Sequence, residues 1–179
     1  MQRCSWVTKN QIYIDYHDTE WGKPITGEDA LFERISLEGF QAGLSWLTIL
    51  KRREGFREAF HGFQITKVAN LTETDIERLL QFEGIIRHRG KIEAVINNAR
   101  VILEKELSLE ELISKHSPTE DRRGLTVSPE STALSKELRK LGFNFVGPTT
   151  MHAMMQAIIA EVAREQRVGL FPRFALMRR

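Results

Sequence analysis

Gly142-Phe143-Asn144-Phe145-Val146-Gly147 is the stretch on which the fold turns, because it joins two helical hydrophobic patterns that together run from Ser135 to Ala163. So short a link between two amphipathic segments reads as helix, hairpin, helix. A turn of that kind aims backbone N–H groups outward, and the helix after it begins with the positive end of its dipole, a geometry that suits a DNA phosphate. On pattern alone, an ordinary αα-hairpin with no ligand is the simpler account.

Outward from the hairpin the hydrophobic period is helical almost throughout. Thr26-Gly27-Glu28-Asp29 has the form of a capping box, with Ala30, Leu31, Ile35 and Leu37 following as an apolar face. Thr72-Glu73-Thr74-Asp75 repeats the device before Ile76, Leu79 and Leu80. Pattern and breakers predict further helices at about 39–52, 88–105, 108–116, 131–141 and 148–165. No strand pair is legible. Residues 117–130, with Ser117-Pro118, Gly124 and Ser128-Pro129, are the best loop or insertion. The fold class expected is all-α: a helical bundle in one domain spanning 1–179, with an N-terminal aromatic-rich lobe at about 1–25 packing on it and the hairpin unit at about 131–165.

Composition bounds the rest. With 179 residues, 41% of them apolar, the chain can bury a real core. A single cysteine excludes an intramolecular disulfide. The N-terminus has no apolar leader-like run, and no stretch approaches the ~20 apolar residues that span a bilayer. A soluble, cytoplasmic monomer without membrane contact is the expectation. The net charge of +2 says little about a polyanionic partner, so local clusters carry that argument. They are Lys51-Arg52-Arg53, then Arg87-His88-Arg89-Gly90-Lys91, then the tail with Arg164, Arg167, Arg173, Arg178 and Arg179. Each alone is equally well a solvated helix face.

All three tryptophans and both tyrosines fall within the first 46 residues, where Trp6, Tyr13, Tyr16, His17, Trp21 and Trp46 gather with Glu38. Rings concentrated beside a carboxylate can form a stacking box for a flat, electron-poor ligand; they can equally plug a small subdomain. Glu38 ends an apolar helical stretch next to Gly39, a setting in which a buried acid is costly without a partner. Its alternative role is a helix cap or surface ion pair.

The wording of these residues narrows the choice. Cys4-Ser5-Trp6, Tyr13-Ile14-Asp15-Tyr16-His17-Asp18-Thr19-Glu20-Trp21-Gly22 and Leu37-Glu38-Gly39-Phe40-Gln41-Ala42-Gly43-Leu44-Ser45-Trp46 closely resemble the 3-methyladenine DNA glycosylase I family. So do Gly84-Ile85-Ile86-Arg87-His88-Arg89-Gly90-Lys91-Ile92 and Gly142-Phe143-Asn144-Phe145-Val146-Gly147-Pro148-Thr149-Thr150, in compatible order and spacing. The resemblance covers roughly residues 1–165. Segment 104–130 looks shorter than is usual in the family, and the chain after Glu165 lacks residues the family normally uses.

The resemblance implies a helix-hairpin-helix glycosylase that flips an alkylated base out of double-stranded DNA and releases 3-methyladenine. Glu38 would be the base-recognising carboxylate, Tyr16 and Trp46 the stacking pair, Tyr13 and Trp6 pocket wall. Ala42-Gly43-Leu44-Ser45 would enter the duplex where the base has left, and Arg87, Arg89, Lys91, Phe145, Gly147 and Thr149 would lie along the DNA. Phe145 stands where the common hairpin has its first glycine, consistent with this branch. Bifunctional relatives carry a lysine where this chain has Thr149, so no strand-cleaving step is implied. The aspartate most of the superfamily uses would fall near Glu165-Gln166-Arg167, where none is present. That loss is tolerable for a leaving group that is already cationic. Cys4 and His17 match half of the family's structural zinc site, whose other half would fall near Gln166 and Leu170. A closed site needs four ligands, so no metal is expected, and packing through Val168, Leu170, Phe171 and Phe174 would hold the termini instead. His152 and Glu165 are possible substitutes without a spacing argument. A DNA-binding or damage-sensing homologue without turnover, or a glycosylase with shifted base preference, are the alternatives.

Overall fold

The computed structural model describes residues 3–4, 6–118 and 125–158. Among the described residues ten α-helices run in the order α1 (Gln11–Thr19), α2 (Glu28–Gln41), α3 (Trp46–Leu50), α4 (Arg53–Ala59), α5 (Ile65–Ala69), α6 (Glu73–Gln81), α7 (Arg89–Glu104), α8 (Leu109–Lys115), α9 (Pro129–Leu141) and α10 (Pro148–Ile158). A 3-10 turn, His61–Phe63, separates α4 from α5. Every described element is helical, as the periodicity predicts.

The core is mainly aliphatic, with a group of phenylalanines packed within it. Phe32, Phe40, Phe56, Phe60 and Phe63 are wholly enclosed, with ring centroids of Phe40 and Phe56 only 4.5 Å apart. Each such ring contributes about 2–3 kcal/mol by leaving water. α2 runs through this core: from Leu31 to Phe40 every residue except Glu33 is buried. A helix apolar on one stripe would sit at the surface. α2 instead packs against α3, α7, α8 and α10, which carries Arg34, Ser36 and Glu38 inside with it.

Three of the expected helices, at 88–105, 108–116 and 131–141, are α7, α8 and α9 to within two residues at either end. The helix expected at 39–52 is instead broken at Ala42 and restarts at Trp46, with the Ser45 hydroxyl capping the new N-terminus by accepting from Thr48 N–H. The helix beginning at Pro148 is described to Ile158, and the rest of its expected span lies outside the described residues. α1, α4 and α5 were not legible in the pattern.

The Thr72 capping box is present, with Asp75 accepting from the Thr72 N–H at 2.9 Å. The one expected at Thr26 is not. Gly27 is the N-cap of α2, at φ 94° and without a side-chain cap. Its acids serve other helices: Glu28 accepts from Ser108 Oγ, Leu109 N–H and Glu110 N–H at the start of α8, and Asp29 from Ile65 N–H at the start of α5. Carboxylates favour helix N-termini wherever these lie in space, so tertiary contacts outcompete the local box.

α9 ends at Gly142 in the left-handed conformation, φ 109°, with Phe143 N–H reaching back to Leu138 C=O. Phe143 and Val146 point inward, and α10 packs back along α9. In the loop before α9, Ser128 and Ser131 form a capping box; residues 119–124 of that loop lie outside the described residues.

Candidate base-binding site and DNA-facing elements

Glu38 sits in the last turns of α2, only 3% exposed. Its partner is one turn earlier: Arg34 Nη2 donates to Glu38 Oε1 and to the Tyr16 hydroxyl, both at 2.7 Å. The guanidinium carbon lies 4.5 Å from the Trp46 ring centroid and 5.6 Å from that of Tyr16. Trp46 opens α3 and Tyr16 faces inward from α1, with their rings 5.7 Å apart. Thus α1, α2 and α3 each supply part of one box.

Trp6 closes the outer side, packing on Tyr13, Tyr16, His17 and Trp21 at centroid distances of 5.4 to 6.2 Å. Tyr13 ties this wall to α3 by accepting from Leu47 N–H at 3.0 Å. The rings expected to work together are therefore brought together, with Tyr13 a strut and Trp6 a lid.

Burial pushes the Glu38 carboxyl above its ordinary value, and the neighbouring Arg34 charge partly offsets this. Burial likewise pushes the Tyr16 hydroxyl up to about 12, so it stays a neutral phenol. Burial opposes the Arg34 charge, but Tyr16 and Glu38 outweigh it and hold the guanidinium protonated. Arg34 Nε, Ser36 Oγ and Trp46 Nε1 are buried polar atoms without a hydrogen-bond partner among the described residues. Unpaired buried donors are costly, and the Trp46 indole N–H, on the wall of the box, is a place for a ligand's acceptor.

Gly43, at φ 83°, and Leu44, 40% exposed, project from the turn between α2 and α3. The turn is held from beneath. Lys91, on α7, is only 7% exposed and its Nζ donates to the carbonyls of Phe40 at 2.9 Å and Ala42 at 2.6 Å. Lys91, expected along the DNA, instead caps the C-terminus of α2. Arg89 is likewise occupied, paired with Glu73, Glu77 and Glu93. Arg87, before α7, remains exposed.

α7 also fixes the hairpin. Asn98 is bidentate on one residue, its Oδ1 accepting from Asn144 N–H at 2.8 Å and its Nδ2 donating to Asn144 C=O at 3.0 Å, while Asn97 Nδ2 donates to Gly142 C=O at 2.8 Å. Phe145 holds φ 57° and is 41% exposed. Its Cβ packs so near Gly39 that a methyl there would sit 3.4 Å away, which couples the hairpin to the Glu38 turn. Gly147 precedes α10, and Thr149 lies exposed in the first turn of that helix. Sequence reading missed Arg34, Asn98 and the capping role of Lys91. Of these, Arg34 had a signal, an arginine four residues before the acid on an apolar helix.

Cys4 and His17 are adjacent, with Cys4 N–H donating to His17 Nε2 at 3.5 Å. The buried His17 ring stacks on Trp21, and its Nδ1 lies 2.9 Å from Asp18 Oδ1. Both ring nitrogens are thereby occupied. Among the described residues no cluster of three or more His, Cys, Asp or Glu is arranged to hold a metal, and residues 159–179 contain no His or Cys. His152 instead bonds the Leu125 carbonyl at 2.9 Å. These residues do not fit a four-ligand zinc site. Glu165 and the apolar tail residues expected to clasp the termini lie outside the described residues. Among the described residues, no helix is long and apolar enough to cross a membrane.

Comparison with known proteins agrees with this arrangement. A family model described as methyladenine glycosylase matches residues 6–160. The chain is 50% identical to DNA-3-methyladenine glycosylase 1 of Escherichia coli (strain K12), over 88% of this chain and 90% of that protein. It is 48% identical to DNA-3-methyladenine glycosylase of Haemophilus influenzae (strain ATCC 51907 / DSM 11121 / KW20 / Rd), over 87% and 90%. Among solved structures, 3-methyladenine DNA glycosylase I of Staphylococcus aureus, described for its recognition of 3-methyladenine, superposes with a TM-score of 0.82 at 38% identity, covering 89% of this chain and 91% of that one. A crystal structure of another 3-methyladenine DNA glycosylase I gives 0.84 at 46% identity, covering 89% and 93%. The chain belongs to the methyladenine glycosylase family.

Proposed function

We propose that this protein is a monofunctional DNA glycosylase that takes 3-methyladenine out of alkylated duplex DNA and hydrolyses its glycosidic bond, leaving an intact abasic strand. The observation that carries this reading is the buried Glu38 carboxylate set among Tyr16, Trp46 and Trp6, in a chain whose relatives are 3-methyladenine glycosylases.

The chemistry asks little of the enzyme. Adenine alkylated at N3 is a cation while joined to deoxyribose, so bond cleavage neutralises the leaving base and needs little proton donation. Extrusion costs a few kcal/mol, least for a damaged and weakly paired base, so flipping itself selects. Each aromatic face adds roughly 0.5–2 kcal/mol of attraction for a cationic ring. The Glu38 carboxylate, buried among the rings, accepts from the exocyclic amine. Leu44 fills the vacated stack and Gly43 lets the backbone approach. The hairpin before α10 and the exposed Arg87 meet the phosphates, which position the protein without reading sequence.

Thr149 offers no amine, so no Schiff base with the sugar forms. The Cys4 and His17 pair is a packing feature, and the enzyme works without zinc. It acts on chromosomal DNA as a soluble cytoplasmic monomer. Incubation with methylated duplex, followed by chromatography of released bases and by borohydride trapping, tests the reading: free 3-methyladenine with an uncut strand is expected. A trapped covalent adduct with strand scission would show a lyase, and no released base would remove the proposal.

A further inference from the structure

Arg34 has no part in the chemistry above, yet it occupies the centre of the box. Its guanidinium is a flat cation that lies over the Trp46 ring, near the Tyr16 ring, with its edge on Glu38 Oε1 and the Tyr16 hydroxyl. These are the partners an alkylated adenine requires: an aromatic face, a second ring, and a carboxylate at its donor edge. A planar ring stacked on that face of Trp46 meets the guanidinium, whose carbon is 4.5 Å from the ring centroid. The fit of the arginine is also incomplete, because its Nε and the neighbouring Trp46 Nε1 are both buried without a partner. An adenine ring brings nitrogen acceptors; a guanidinium brings none.

We propose that Arg34 is an internal stand-in for the base, filling its seat in the free protein and leaving when the alkylated adenine enters. Exchange keeps the box from standing open as a buried lone carboxylate, since Glu38 always has a flat, electron-poor partner. It also makes the residue at position 34 a determinant of affinity: every binding event first breaks a charge-assisted contact. This role rests on the base-recognition reading of the box.

Two measurements test it. Free 3-methyladenine is titrated into wild type, Arg34→Met and Arg34→Lys, following tryptophan fluorescence, with circular dichroism to verify folding. Methionine fills similar volume without competing for Glu38, so its Kd is expected to fall about tenfold, the factor that ~1.4 kcal/mol represents. Lysine still competes for the carboxylate and should stay near wild type. Binding by a folded Arg34→Met that is no tighter than wild type overturns the inference. Should that variant fail to fold, a wild-type crystal structure with 3-methyladenine decides: the guanidinium moved off Glu38 supports exchange, and both seated together overturns it. A wild type that neither binds the base nor releases it from methylated duplex overturns the reading of the site itself, and this role with it.

Discussion

Replacing Lys91 by methionine removes the ammonium that holds the last carbonyls of α2 and keeps most of the apolar stem. Two bonds are lost, from Nζ to Phe40 O at 2.9 Å and to Ala42 O at 2.6 Å. Hydrogen bonds to a charged group contribute about 1.5–3 kcal/mol each, but two effects offset the loss. Burial pushes the Lys91 ammonium below its ordinary pKa, so removing it relieves desolvation, and Ala42 is exposed, so water replaces the ammonium at its carbonyl. The net cost is about 2 kcal/mol, which in a chain of this length lowers Tm by roughly 4–8 °C. The functional cost falls on the turn that carries Gly43 and Leu44. Single-turnover release from duplex DNA should fall by at least tenfold, while the Kd for free 3-methyladenine changes less than threefold, because Glu38 and the rings are untouched. A Tm within 1 °C of wild type, or equal losses in both assays, would refute the view that Lys91 sets this turn.

Glu38→Gln should weaken binding and excision of the alkylated base far more than affinity for undamaged duplex, since phosphate contacts are unchanged; equal losses would make Glu38 structural. Because burial raises the Glu38 pKa, the native state holds a proton that the unfolded chain has released between the ordinary and the raised value. Stability from this group is present at low pH and lost as pH rises through the raised value, whereas base binding, which needs the carboxylate, is lost as pH falls through it. Subtracting the Glu38→Gln profile should isolate an acid limb lying above the ordinary carboxylate value, and identical profiles would deny it. Gly55→Ala should destabilise by about 2–3 kcal/mol, because a Cβ there would lie 2.3 Å from the Gly84 carbonyl oxygen; an unchanged urea midpoint would contradict the packing. The purified protein should carry no stoichiometric zinc and keep its Tm in chelator, with Cys4→Ser costing about 1 kcal/mol, and chelator-induced unfolding would overturn this.

Where a helix is long and its signals local, the sequence was readable. α7 and α9 carry sustained apolar periods, and the Thr72 box needs only residues within its own turn. α4 and α5 span seven and five residues, too few for a helical period to declare itself. The Thr26 box failed because Glu28 and Asp29 find better donors at helix starts far along the chain. The aromatic box was legible chiefly through the resemblance, since clustering alone does not distinguish a binding site from a plug. The basic run 87–91 reads as one patch, yet the helix that begins within it sends Arg89 to three carboxylates and Lys91 inward. Asn98 left no trace, because an amide that grips a backbone 46 residues away has no local pattern.

The most direct test of the central claim is to alkylate duplex DNA so that it carries several methylated bases, incubate it with the wild-type protein, and identify the free bases by mass. The box of Glu38, Tyr16 and Trp46 predicts that 3-methyladenine is released first and in largest amount, from a strand that stays whole until treated with alkali. Absence of any free base, or preferential release of a different methylated base, would contradict it.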